Sequence, residues 1–207
     1  MGDDEIILPH FPLIRKEEGH LFYGGDQHWY RNRFHRLAGC APTSGANLAA
    51  FMRIGTEPDV VTPDGDPVWN MEHFLDLMDT MYRYLKPGMR GFPHSTIYQE
   101  KFLAYAADRG VTLSTTRRKG WPSEDEAFSF VKENIDEGRP VILLVLKHSV
   151  PEIEEDTWHW MTITGYSASR REIHLSNYGR RQWMRVDAVF MPGPENDVKL
   201  LTFERQE

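Results

Sequence analysis

The sequence predicts an α+β chain, with a helical N-terminal half and an antiparallel sheet in the C-terminal half, and three observations carry that expectation. Residues 37–52 contain no charged side chain and are small-sided and apolar through Ala46, Leu48, Ala49 and Ala50, as suits a helix running through a core. Residues 70–85 bring Met71, Phe74, Leu75, Leu77, Met78, Met81, Tyr82 and Leu85 back at the three-and-four spacing of an amphipathic helix. Beyond residue 140 the pattern changes to short apolar segments divided by tight turns, which read as strands.

Residues 6–14 are apolar but broken by Pro9 and Pro12, so an extended arm along the surface is expected there rather than a central strand. Residues 21–35 are rich in aromatics, turn at Gly24-Gly25 and lead into the charge-free helix. Pro42 suits the first turn of that helix, where a missing N–H costs nothing, and Thr43 or Ser44 can satisfy its orphan N–H groups. Residues 55–68 hold three prolines and Asp64-Gly65 and read as a loop. After the 70–85 helix, the stretch from Pro87 to Pro93 is a break, and residues 96–109 restart a helical pattern that stops at Gly110.

Ser123, with Glu126 three residues on, forms a capping box for a helix over residues 127–135. Residues 141–146 are continuously apolar, as a strand buried on both faces should be. Short strands follow over 158–166, 172–178 and 181–186, with turns at Ala168-Ser169-Arg170 and Gly179-Arg180, and a last strand over 198–203.

A chain of 207 residues with 40% hydrophobic side chains is sized for one domain with a substantial core. Its 31 acidic against 24 basic residues, a net charge of −7, argue against a sequence-independent nucleic-acid binder. No apolar run approaches the roughly 20 residues that span a bilayer, and the acidic start Met1-Gly2-Asp3-Asp4-Glu5 lacks the positive region of a signal peptide, so a cytoplasmic chain without a membrane partner is expected. One cysteine can form no internal disulfide, in keeping with a reducing compartment. The histidines lack ligand spacing such as His-Glu-x-x-His, so neither a metal nor another cofactor is expected.

That cysteine, Cys40, lies in Gly39-Cys40-Ala41-Pro42-Thr43-Ser44, at or just before the start of the charge-free helix. There the macrodipole, equivalent to roughly half a positive charge, favours the attacking thiolate. A lone cysteine is also a common core hydrophobe, so a facing base must separate the two readings. Strand parity supplies one. His159 shares a face with Met161 and Ile163, and Asn177 shares a face with Ile173 and Leu175, so an inward histidine and an inward asparagine lie on successive strands. The asparagine could hold one ring nitrogen and leave the other for the thiol.

These residues resemble the papain-like cysteine peptidases, especially the C39-like group, in which a Gln and a Trp precede a Gly-Cys-x-Pro-Thr-Ser helix start and a later His strand ends in Gly-Tyr. Here they read Gln27, Trp29, Gly39 to Ser44, and His159 to Gly165-Tyr166, while Ser176-Asn177-Tyr178-Gly179 is similar to the family's Asn-Ser-Trp-Gly turn. The resemblance covers residues 22–54 and 140–190 and implies a papain-like fold in a single domain, with 55–122 as a largely helical insertion or lobe. It implies hydrolysis of a peptide or amide substrate, with Cys40 as nucleophile, His159 as base, Asn177 as orienting residue and Gln27 as oxyanion donor.

Gln27 stands thirteen positions before Cys40, farther than in papain itself, which requires residues 30–37 to loop out. Aligned on the turn glycine, the family's Asn falls at Ser176, so Ser176 and Asp187 stand behind Asn177 as orienting candidates. A catalytically silent binding module and a transglutaminase-like acyltransferase are alternatives of the same architecture. Glu152, Glu154, Glu155 and Asp156, just before the His159 strand, would rim the cleft as a solvated acidic run.

Overall fold

In the computed structural model, which describes residues 4–16, 19–89, 91–120 and 123–206, three short strands, β1 (Glu5–Ile7), β2 (Leu13–Arg15) and β3 (Leu21–Tyr23), lead through a 3-10 turn (Gln27–Trp29) into α1 (Arg33–Ala38) and α2 (Cys40–Phe51). The middle of the chain holds β4 (Val60–Val61), β5 (Pro67–Asn70), α3 (Met71–Tyr84), α4 (Ser95–Ala107) and β6 (Leu113–Lys119). Next come α5 (Glu124–Asp136), β7 (Val141–Lys147), α6 (Pro151–Glu154), β8 (His159–Ser167), β9 (Glu172–Asn177), β10 (Arg180–Arg185), α7 (Val186–Val189) and β11 (Asp197–Arg205).

The strands form two sheets among the described residues. The larger is antiparallel, in the order β10-β9-β8-β7-β11-β6, with β1 beside the second half of β8, on the edge that β7 pairs farther back along the strand. The smaller runs β3-β2-β5-β4, with β2 and β5 parallel.

The continuous apolar run of β7 is explained by what covers it. Ile142 and Leu144 pack into one core with α2, α3 and α4, and Val141, Leu143 and Val145 into a second core with α5 and α7. Helix α2 is buried from Cys40 to Ala50; it buries no charge, and its polar residues Thr43, Ser44 and Asn47 are hydrogen-bonded. Gly45 lets α3 approach it: a Cβ there would stand 2.7 Å from Leu85 Cδ1 and 2.8 Å from Met81 Cγ. The α3 stripe of Phe74, Met78 and Met81 is fully buried against it, as its spacing requires. At α5, Ser123 Oγ accepts the Glu126 N–H at 3.2 Å.

Three stretches differ from the sequence expectation. The arm over residues 6–14 carries two strands, one of them, β2, in the interior of the small sheet, and Leu8, Phe11 and Ile14 are buried. Pro9 and Pro12 fall between the strands, so neither removes a ladder donor. Residues 55–68, expected as loop, contain β4 and begin β5. Strand β6 (Leu-Ser-Thr-Thr-Arg-Arg-Lys) has no apolar alternation and is an edge strand that only its pairing with β11 defines. The described part of the segment 55–122 therefore adds two strands to the small sheet, two helices to the core that holds α2 and one edge strand to the main sheet.

Candidate active site

The thiol is placed by the junction of two helices. Gly39 ends α1 and caps α2, and a Cβ on it would come 2.3 Å from the His35 carbonyl oxygen and 2.6 Å from the Tyr30 ring, so the turn is closed to any larger residue. Thr43 Oγ1 donates to the Gly39 carbonyl at 2.8 Å and pins the first turn. Cys40, the first residue of α2, is 6% exposed, and its thiol points at the Trp158 carbonyl 3.8 Å away. Trp158 adopts φ of 59°, a left-handed conformation rare for a bulky residue, directly before His159. The sulfur thus lies against the backbone that leads into the histidine strand.

At His159, Nε2 stands 2.8 Å from Asn177 Oδ1. Asn177 Nδ2 donates to Asp156 Oδ1 at 3.1 Å and to Gln182 Oε1 at 3.0 Å, so the amide can present only its oxygen to the ring. His159 Nε2 therefore carries the proton, and Nδ1 is left as the basic nitrogen. Tyr178 covers the pair, its ring 4.6 Å from the imidazole and 14° from parallel. Tyr178 (φ 48°) and Gly179 (φ 69°) make the two-residue turn into β10, both in the left-handed region that a tight hairpin turn demands. The turn falls one residue earlier than the Gly179-Arg180 expected from sequence.

Gln27 is buried at 7% exposure, and its Nε2 donates to the Arg36 carbonyl at 2.8 Å. Helix α1 takes up the long separation from Cys40 and itself supplies that carbonyl. One amide hydrogen of Gln27 remains unused, and Oε1 is buried without a partner. The loop carrying Gln27 is tied from both sides, since Asn47 Oδ1 accepts the Gly25 N–H at 2.7 Å and Ser176 Oγ donates to the Tyr23 carbonyl at 2.7 Å. Gly24 (φ 76°) sits between them, where a Cβ would come 2.4 Å from Ser176 Oγ.

Gln27, Cys40, Ser44, His159, Asn177 and Tyr178 all line one cavity of about 20 Å³, room for a water-sized group. Of the three orienting candidates, only Asn177 bonds His159. Ser176 supports the Gln27 loop, and Asp187 is exposed and paired with Arg185 at 3.0 Å. Asp156, grouped by sequence with an exposed acidic run, departs from it: Glu152, Glu154 and Glu155 are exposed, but Asp156 is 8% exposed and bonded to Asn177.

Burial shifts both Cys40 and His159. It pushes the Cys40 thiol up to about 11, against the opposing pull of the Trp160, Ala41 and Cys40 backbone N–H groups. Burial also lowers His159, opposed by its bond to Asn177 and the charge of Asp156. Desolvation acts against the charged form of both groups and so opposes the pull of the helix terminus toward the thiolate. Among the described residues no group of three or more His, Cys, Asp or Glu is arranged to hold a metal ion. No helix among them is long and apolar enough to cross a membrane.

Sequence reading missed Asp156, Tyr178, Gln182 and Asn47. Two carried a signal: Tyr178 as the aromatic position of the turn that the resemblance had singled out, and Asp156 as part of the acidic run expected at the cleft rim, though not as a partner of Asn177.

The model of the Peptidase_C39 like family matches residues 11–188, and the chain belongs to that family. Among solved structures, the chain is similar to xylellain, a cysteine protease from Xylella fastidiosa, at 11% identity with a TM-score of 0.45, over 99% of this chain and 87% of that one. No curated protein matches it in sequence.

Proposed function

We propose that the chain is a cysteine peptidase or amide hydrolase in which Cys40 attacks the carbonyl, His159 moves the proton, Asn177 orients His159 and Gln27 binds the oxyanion. The observation that carries this reading is the direction of the imidazole: Asn177 takes Nε2–H, so the free Nδ1 belongs to a ring that shares its cavity with the Cys40 thiol.

The proton transfer comes with attack. Nδ1 of His159 takes the thiol proton as the sulfur bonds to the amide carbon, and the carbonyl electrons move onto oxygen. That oxyanion would be met by the Cys40 backbone N–H, an orphan donor of the helix start, and by the unused Gln27 N–H. The imidazolium then protonates the leaving nitrogen and the C–N bond breaks. Water, deprotonated by the same nitrogen, adds to the thioester, and the thiol departs with its proton restored. A cavity of about 20 Å³ has room for the reacting group alone, so the rest of a peptide would lie outside it.

The same reading takes the chain as one catalytic domain with 55–122 packed into it, working in the cytoplasm, a setting that the single cysteine supports.

Incubation with a mixed peptide library and detection of new termini by mass spectrometry tests the proposal. Wild type generates new termini, and Cys40→Ala and His159→Ala do not. Product masses showing addition of an amine in place of water would make the protein an acyltransferase, and unprocessed peptides with wild type would leave the binding-module reading in its place.

A further inference from the structure

A second concavity begins one residue from the active site. Strand β3 is the outer strand of the small sheet and β10 the outer strand of the large one. They meet through one backbone bond, Tyr23 N–H to the Gly179 carbonyl at 2.8 Å, and enclose a groove of about 470 Å³. Its walls include His20, Leu21, Phe22, Tyr23, Arg180 and Arg181. Gly179 also faces it, and the next residue back, Tyr178, lies on His159.

Its chemistry is distinctive for a chain of net charge −7. Among the described residues no Asp or Glu lines the groove, and neither Arg180 nor Arg181 forms an ion pair. Asp26, beside Gly179, is already held by the His28 N–H and Nδ1. The Arg181 guanidinium lies 4.0 Å over the Tyr23 ring, which uses its face and leaves the in-plane N–H donors for a carboxylate. Leu21 is 46% exposed, an apolar contact beside the two charges. Strand alternation turns the Leu21 N–H and C=O to the same side as those of Tyr23, toward β10, where an extended chain could use them.

We propose that this groove binds an acidic, extended stretch of the peptide substrate, its carboxylates on Arg180 and Arg181 and an apolar neighbour on Leu21 and Phe22. The inference rests on the peptidase reading for the word substrate, while the groove's affinity for such a peptide stands apart from catalysis.

The test uses full-length Cys40→Ala protein and two fluorescein-labelled peptides, one containing leucine, phenylalanine and two glutamates, the other with glutamine for both glutamates. Fluorescence anisotropy should show the glutamate peptide binding about tenfold tighter at low salt, an advantage that shrinks as ionic strength rises. Adding R180Q and R181Q together should abolish the advantage, with an unchanged Tm showing that the fold is kept, and R180Q alone should remove part of it. Equal affinity for the two peptides, or an advantage that survives the double substitution, overturns the inference. Cleavage by the wild-type enzyme separates the two proposals: binding of the glutamate peptide without cleavage of any peptide defeats the peptidase reading and leaves the groove, whereas cleavage without preference for acidic sequences defeats the groove.

Discussion

The ring of Tyr178 lies over the imidazole of His159, 4.6 Å away and nearly parallel. It covers the ring that Asn177 holds through Nε2 in the cavity shared with the thiol. Tyr178→Ala should lower kcat/KM about tenfold, since stacked aromatic pairs contribute about 1 kcal/mol and the uncovered ring is held less firmly. Tyr178→Phe should retain activity. A Phe variant as slow as the Ala variant would assign the effect to the hydroxyl and refute the covering role.

Asp156 acts on His159 through Asn177 and through its charge, which favours the imidazolium. Asp156→Asn should therefore move the acid limb of the kcat/KM profile to lower pH, because a less basic ring stays neutral farther down. A profile that drops in height without moving would make Asp156 a packing residue only.

Gln27→Ala removes a cavity-lining amide, the proposed oxyanion donor, together with a buried oxygen that has no partner. The expected result is a kcat about 100-fold lower, the usual cost of one oxyanion donor. Thermal denaturation should show little change. A fall in Tm with kcat preserved would point to a scaffolding role through Arg36.

Burial raises the thiol to about 11 and lowers the imidazole, so both groups are disfavoured in their charged forms. Iodoacetamide labelling of Cys40 should be slow at pH 7 and speed up as pH rises toward 11. Rapid labelling on a plateau below pH 6 would show that the resting protein carries the ion pair.

His174 is 1% exposed, its Nδ1 2.7 Å from Thr164 Oγ1, and burial with the charge of Arg181 lowers it to about 4. The unfolded chain takes up a proton near pH 6.5 that the folded chain refuses, so the stabilisation is complete above that pH and is lost as pH falls toward 4. The loss is about 3 kcal/mol. Urea denaturation of wild type and His174→Asn at pH 7.5 and 4.5 measures it: the variant should be less sensitive to acid, and equal sensitivity would exclude His174 as the source.

The sequence by itself determined the four longer helices, α2 to α5, and most of the large sheet, because these rest on local periodicity, whereas it left α1, where residues 30–37 were expected to loop out, and the short α6 and α7 unread. The charge-free run of α2 and the apolar stripe of α3 each state their burial residue by residue. It also placed Cys40 at a helix start and paired His159 with Asn177 by strand parity, a rule that needs no tertiary information. Tertiary structure alone decided the rest. Strand β6 exists because β11 pairs with it. Asp156 leaves an exposed acidic run for a buried bond because Asn177 Nδ2 needs an acceptor. The burial of Cys40 was likewise out of reach: a helix terminus can be read from six residues, but the Trp158 carbonyl and the start of the His159 strand reach the thiol from more than a hundred positions away in the chain.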